Sequence, residues 1–112
     1  MARILIVDDE KNIRQSLREI LEYEHYEVDE ASDGEVALNM ILEDVYDVVL
    51  LDIKMPNRDG MEVLQLAKAA EVEAQFIMIS GHGQIDTAVE TVRSGAYDYL
   101  SKPPDLNRLL IT

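Results

Sequence analysis

Three short, unbroken runs of apolar, β-favouring residues punctuate the chain: Ile4-Leu5-Ile6-Val7, Val48-Val49-Leu50-Leu51 and Phe76-Ile77-Met78-Ile79. A strand with one face in water alternates apolar with polar residues, whereas a continuous run needs cover on both faces, as in the interior of a parallel sheet. Glu27-Val28-Asp29-Glu30-Ala31 and Tyr97-Asp98-Tyr99-Leu100 are more alternating and read as peripheral strands. Helical spacing fills the intervals. Ile13, Leu17, Ile20 and Leu21 form one stripe, with Arg14, Arg18 and Glu19 among the polar positions. Similar spacing links Val36, Ala37, Met40 and Ile41 after Ser32-Asp33-Gly34, then Met61, Leu64 and Ala67 after Gly60, and Ile85, Ala88, Val89 and Val92 up to Gly95. A last helical start, Asp105 to Leu110, follows Pro103-Pro104 and reaches Thr112 after about two turns. Strict β-α alternation with right-handed crossovers predicts a doubly wound (βα)5 α/β fold: a five-stranded parallel sheet with helices on both faces.

Composition fits one such unit. At 112 residues and 47% apolar, the chain can bury a real core as a single domain over 1–112, with no linker, repeat or low-complexity tract. Ten Lys and Arg against 23 Asp and Glu give a formal net charge of −13, which offers no footprint for a nucleic-acid backbone or an anionic membrane. The absence of cysteine removes disulfides, thiolate metal sites and cysteine nucleophiles together. No apolar run approaches the roughly 20 residues of a membrane span. Met1-Ala2-Arg3 leads straight into a strand-like segment, so the mature chain is expected to start at Met1 and to reside in the cytoplasm.

In a parallel sheet all strands end on one edge, and ligand sites form outside those carboxyl ends. Asp8-Asp9 follow the first predicted strand, Asp52 the third, Ser80 the fourth, and Lys102-Pro103 the fifth. Asp8 and Asp9 alone would read as helix N-caps, but Asp52 precedes Lys54-Met55-Pro56 and does not directly cap the helix starting near Gly60. Three carboxylates on one edge repel one another unless a cation sits among them. A hard divalent ion such as Mg2+, which takes oxygen ligands and commonly shares its site with a phosphoryl group, is the natural remedy, and Lys102 adds a fixed positive charge. Neither G-x-x-x-x-G-K-[ST] nor a G-x-G-x-x-G after the first strand is present, so cradling of a nucleotide by backbone amides has no support. His25 and His82, without cysteine, make no metal-ligand pattern.

The ordered set Val7-Asp8-Asp9-Glu10, Asp52-Ile53-Lys54-Met55-Pro56-Asn57-Arg58-Asp59-Gly60, Ser80-Gly81 and Tyr99-Leu100-Ser101-Lys102-Pro103 resembles the receiver domains of two-component response regulators over essentially the whole chain. The resemblance implies a CheY-like, flavodoxin-like fold with strand order 2-1-3-4-5, and a role for each position. Asp52 would be the phosphoacceptor. Asp9 and Asp52 would ligate Mg2+ directly, the backbone carbonyl of Lys54 would add a ligand, and Asp8 would act at least partly through water. Lys102 would pair with a phosphoryl oxygen, aimed by a cis peptide before Pro103. Ser80 would be the switch hydroxyl and Tyr99 the switch aromatic, although Tyr99 read without the family is as much a packing residue as a switch. Lys54 and His82 fall where the family varies side chains flanking the phosphoryl group, and a long basic Lys54 is expected to shield it from hydrolysis.

The implied partner is a sensor histidine kinase, whose phosphohistidine donates the group. The implied output is a face made by helix 4, strand 5 and helix 5. Gly81 to Val89 and Gly95 to Leu100 resemble receivers fused to sigma-54-type transcription activators of the NtrC or NtrX kind, so a downstream effector domain of the same full-length chain is a further expected partner. The fifth helix is shorter than the family usually carries, which leaves Leu106, Leu109, Leu110 and Ile111 to pack on a missing helix end or a homodimer partner. On this reading the chain is a signalling phosphoacceptor and not an enzyme. The alternative is a Mg-dependent aspartyl-phosphate phosphatase or phosphotransferase; such enzymes usually alternate their first two aspartates and carry a cap, but Asp8 and Asp9 are adjacent and no cap fits. A third reading, an interaction domain with a vestigial site, sits poorly with the intact Asp8, Asp9, Asp52, Ser80 and Lys102.

Overall fold

The structure is a computed structural model that describes residues 2–52, 60–80 and 98–101, with Ser80 and the last segment described as backbone. Strands β1 (Arg3–Val7), β2 (Glu27–Ala31), β3 (Val48–Asp52) and β4 (Gln75–Ser80) alternate with helices α1 (Lys11–Tyr23), α2 (Gly34–Glu43) and α3 (Gly60–Ala69). All strand pairs are parallel, in the order β2-β1-β3-β4, and the backbone of β5 (Asp98–Ser101) pairs with β4 at the far edge. The two predicted helices over Ile85–Gly95 and from Asp105 onward lie outside the described residues.

The sheet is buried on both faces, which accounts for the unbroken apolar runs. Leu5, Val7, Val49, Leu51, Phe76 and Met78 point to one side, where Ala37 and Ile41 of α2 and Val63, Leu64 and Ala67 of α3 meet them. Ile4, Ile6, Leu50, Ile77 and Ile79 point to the other, against Leu17 and Leu21 of α1. Alternate side chains along one strand thus serve two cores. Each fully buried aliphatic side chain is worth about 1.5–3 kcal/mol relative to exposure. With α1 on one face and α2 and α3 on the other, the direction of winding reverses between β1 and β3. That reversal opens a crevice at their carboxyl ends.

The predicted stripe of α2 needs one correction. Val36 is 43% exposed and Met40 only packs at the margin, while Leu38 is buried in its place. The buried set Gly34, Ala37, Leu38 and Ile41 defines the inner face, and Val36, whose N–H donates to the capping Asp33 side chain at 2.9 Å, lies outside it. Both α1 and α3 close with paired bonds back into the last turn, made around a non-glycine residue at positive φ. For α1 these are His25 N–H to Glu22 O and Tyr26 N–H to Leu21 O, with His25 at φ 70. For α3 they are Glu71 N–H to Lys68 O and Val72 N–H to Ala67 O, with Glu71 at φ 60. His25, expected only to be a surface residue, is exposed and also turns the chain into β2.

Edge strand β2 carries Glu30 on one face and Asp29 on the other, and both are clamped. Glu30 accepts from Arg18 Nη1 at 2.6 Å and Arg14 Nε at 3.1 Å. Asp29 accepts from the Tyr46 hydroxyl at 2.7 Å and Arg3 Nη2 at 2.8 Å, and the Arg3 guanidinium lies 4.8 Å from the centre of the Tyr46 ring. The Arg18 bond holds the Glu30 carboxyl below its ordinary range, helped by Arg14 and opposed by burial. The Tyr46 hydroxyl, then Arg3, does the same for Asp29. Burial and the bond to Asp29 push the Tyr46 phenol well up. Charged, clamped side chains on an edge strand also discourage pairing with a stray strand.

Two outcomes follow from these features. His25→Gly relieves the left-handed conformation and is expected to stabilise the protein by about 0.5–1 kcal/mol in urea unfolding, net of glycine's greater entropy loss; destabilisation would contradict the α1 terminus described. Because the folded carboxyls titrate lower than unfolded ones, the stability they add is complete above the ordinary carboxyl values of 3.8 and 4.5 and is lost as pH falls through the folded ones. The Tm advantage of wild type over Glu30→Gln should therefore be full at neutral pH and shrink on acidification below 4.5; a gap that widens towards low pH would refute the clamp.

Candidate functional site

The ladder between β1 and β3 runs Ile4↔Val48 to Val7↔Leu51, so the next residues, Asp8 and Asp52, stand abreast at the carboxyl ends of adjacent strands. Neighbouring strands lie about 4.8 Å apart. Both residues are buried, Asp8 at 2% exposure and Asp52 at 4%, and they are the two buried charged side chains among the described residues. On the other side of β3, Asp52 pairs with Ile79, and on β4 Ser80 pairs with Ser101. The backbone thus brings Asp8, Asp52, Ser80 and the residue before Lys102 to one edge of the sheet.

The β1-α1 loop adds the rest of the acidic rim. One carboxylate oxygen from each of Asp8, Asp9 and Glu10 lies within 4.8 Å of the others, Asp8 being buried and the other two exposed. Glu10 was not singled out from the sequence as a ligand candidate; the signal available was its position directly after the aspartate pair. Asp52 enters from the neighbouring strand and is not a member of that close trio. Hard oxygen donors without sulfur suit a hard divalent cation, and the exposure of Asp9 and Glu10 leaves room for water ligands, as Mg2+ prefers.

Local bonding shows that the aspartate pair does not cap α1. Glu10 occupies the N-cap position in an extended conformation, and Asp8 Oδ1 accepts the Glu10 N–H at 2.9 Å, a turn within the loop itself. Asp8 is held further by its own N–H, which donates to Ala31 O of β2 at 3.2 Å, and by its carbonyl, which accepts from Arg14 Nη1 at 2.8 Å. Beside the loop, a groove of about 620 Å³ between α1 and the end of β2 is lined by Lys11, Arg14, Gln15, Arg18, Glu30 and Ser32 among others. Arg14 and Arg18 both bond the one carboxylate of that lining, Glu30.

Of the predicted site residues, the structure brings Asp8 and Asp52 together, sets Asp9 on the exposed lip beside Asp8, and places Ser80 at the end of β4 and Tyr99 within β5 as backbone. Lys54, His82, Lys102 and Pro103 lie outside the described residues. No helix among the described residues is long and apolar enough to cross a membrane.

Known proteins resemble this chain in sequence and in fold. The chain is 40% identical over 107 residues to the regulatory protein AtoC of Escherichia coli K12, an alignment covering 96% of this chain and 23% of AtoC. The receiver domain of the Francisella response regulator 1452 superposes with a TM-score of 0.94 at 31% identity, covering 99% of this chain and 92% of that one. NtrX from Brucella abortus gives 0.89 at 41% identity, over 98% of this chain and 25% of NtrX. The chain spans about a quarter to a half of the curated relatives it matches, for example 48% of DltR from Streptococcus agalactiae. With a flavodoxin-like α/β fold, an acidic rim at the switch point of its sheet, and a family match over residues 4–112, the chain belongs to the response regulator receiver domain family.

Proposed function

We propose that this chain is a phosphoacceptor switch of a two-component pathway: a five-stranded (βα)5 receiver in the order 2-1-3-4-5 that accepts a phosphoryl group on Asp52 from a phosphohistidine of a sensor kinase. The observation that carries the reading is the β1-β3 register, which seats two buried carboxylates abreast beside an acidic loop at the crevice of the sheet.

Asp8 and Asp9, with Asp52 and the backbone carbonyl of Lys54, are the residues that would hold Mg2+. Bound there, the ion would supply positive charge against the phosphoryl oxygens. The chain's own residues do the remainder. Asp52 stands at the rigid end of a central strand, so its carboxylate is presented with little freedom to an in-line donor. One of its oxygens bonds to phosphorus as the P–N bond to the donor imidazole breaks, and the electron pair of that bond leaves on the imidazole nitrogen. Lys102, one residue beyond β5, pairs with a phosphoryl oxygen. The product is an acyl phosphate carrying a charge on the order of −1.5 to −2, by analogy with other phosphorylated side chains. Ser80 then donates its hydroxyl to the new group and draws the end of β4 inward, with Tyr99 following. The output is a shift in a two-state equilibrium of the helix 4, strand 5, helix 5 face, not turnover of a substrate.

The partners follow from the family: a sensor histidine kinase upstream and, as in relatives of which this part is a quarter to a half, an effector region that reads the switch. AtoC is a regulatory protein and DltR a transcriptional regulatory protein by name, which favours control of transcription in the cytoplasm. The likeness to AtoC and NtrX favours a sigma-54-dependent activator in particular.

Incubation with Mg2+ and acetyl phosphate, followed by intact mass, is expected to add one phosphoryl group to wild type and none to Asp52→Asn. Phosphorylation of Asp52→Asn, or turnover of many equivalents of a small phosphate ester, would sink this reading. Asp9→Asn or omission of Mg2+ should slow labelling by about tenfold or more, consistent with the worth of charge neutralisation at a transferring phosphoryl group.

A further inference from the structure

We infer that Arg14 is the positioning residue of the acidic loop: its guanidinium bridges the Asp8 carbonyl to Glu30 and holds the loop in the shape that brings the Asp8, Asp9 and Glu10 carboxylates together. The inference rests on the Mg2+ reading above and extends it to a residue of α1 that carries no ligand atom.

The geometry has two anchored ends. Arg14 Nη1 donates to the carbonyl oxygen of Asp8 at 2.8 Å, while Nε of the same guanidinium donates to Glu30 Oε1 at 3.1 Å. Glu30 is itself braced by Arg18 Nη1 at 2.6 Å, so the acceptor that orients Arg14 does not depend on Arg14 for its place. The Arg14 side chain is only 15% exposed, which keeps water from competing for the carbonyl. Arg14 also closes the loop through the main chain, its N–H donating to Glu10 O at 3.1 Å. Between these two contacts lies the whole acidic segment. The Asp8 peptide is tied on its amide side to Ala31 of β2 and on its carbonyl side to Arg14. Loss of the second tie frees the peptide that joins Asp8 to Asp9.

The arrangement needs a planar fork. A lysine at this position would keep the positive charge, but an ammonium on a flexible stem does not reproduce two divergent, coplanar N–H bonds. Charge and position also act in opposite directions. A fixed cation near the rim repels Mg2+, so on Coulomb grounds alone its removal should tighten metal binding. A positioning role demands the reverse. Residues that orient metal ligands without touching the metal typically matter by about 10- to 100-fold in affinity.

The test is Mg2+ binding by isothermal titration calorimetry, with far-UV circular dichroism recorded on each protein. Wild type should bind, and Asp9→Asn should not; failure of wild type to bind overturns the metal reading itself. Given binding, Arg14→Gln and Arg14→Lys should each raise the Kd by about tenfold or more. Arg18→Gln, which removes a charge at the same clamp without touching the loop, should change it by less than about twofold if the loop tie, not the clamp charge, is what matters. An Arg14→Gln that binds Mg2+ as tightly as wild type, or more tightly, overturns the inference, as does an Arg14→Lys of unchanged affinity. Should the Arg14 variants lose their fold by dichroism, the charge-neutral pair Arg18→Gln/Glu30→Gln decides: it removes the ionic anchor of Arg14 with no net change in charge and leaves Arg14 and its carbonyl bond, so a severalfold rise in Kd supports the bridge and an unchanged Kd refutes it.

Discussion

The parallel ladder between β1 and β3 is the constraint on which the rest depends. It places Val7 opposite Leu51 and so carries Asp8 and Asp52 out of two apolar strands at the same level. A slip of one residue would turn every side chain of one strand to the opposite face, moving Leu5 and Val7 out of one core and Ile4 and Ile6 out of the other. The register is therefore held by two hydrophobic cores at once, and the carboxylates at its end inherit that rigidity. This is how a small chain keeps two buried acids side by side: the unfavourable placement is imposed by apolar burial spread over many residues.

Charge is organised outward from that point. The edge strand β2 is pinned on one face by Arg14 and Arg18 through Glu30, and on the other by Tyr46 and Arg3 through Asp29. These contacts are partly exposed and individually modest. Their value lies in what they orient. Glu30 faces α1 and fixes Arg14, and Arg14 reaches the loop that carries Asp8, Asp9 and Glu10. A chain with net charge −13 thus spends scarce cations beside its most acidic segment, where they shape the loop rather than neutralise it.

Much of the fold was legible in the sequence, because a doubly wound sheet writes itself as unbroken apolar runs separated by helical stripes. The boundaries of β1, β3 and β4 follow the runs to within a residue, and Glu27–Ala31 matches outright. The phase of α2 was legible only in part: Val36 and Leu38 are both apolar, and packing against the rest of the fold decides which one is buried. His25 looked like an ordinary surface residue because the enrichment of histidine at positive φ is a far weaker mark than glycine would have left.

By itself the sequence determined the alternation of strands and helices and the residue types that end each strand, since hydrophobic periodicity and the chemistry of Asp8, Asp9, Asp52, Ser80 and Lys102 are properties of the linear chain. The sequence placed Asp8, Asp9 and Asp52 on one edge; tertiary structure brings the pair Asp8 and Asp52 abreast and adds Glu10 to the rim. Asp8 and Asp52 are 44 positions apart and become neighbours only through a non-local ladder, while Glu10 joins Asp8 and Asp9 because the loop doubles back through the Asp8 to Glu10 bond. The reach of Arg14 to the Asp8 carbonyl is of the same kind. A backbone oxygen is present at every residue, and which one is claimed depends on how helix, loop and edge strand come together in space.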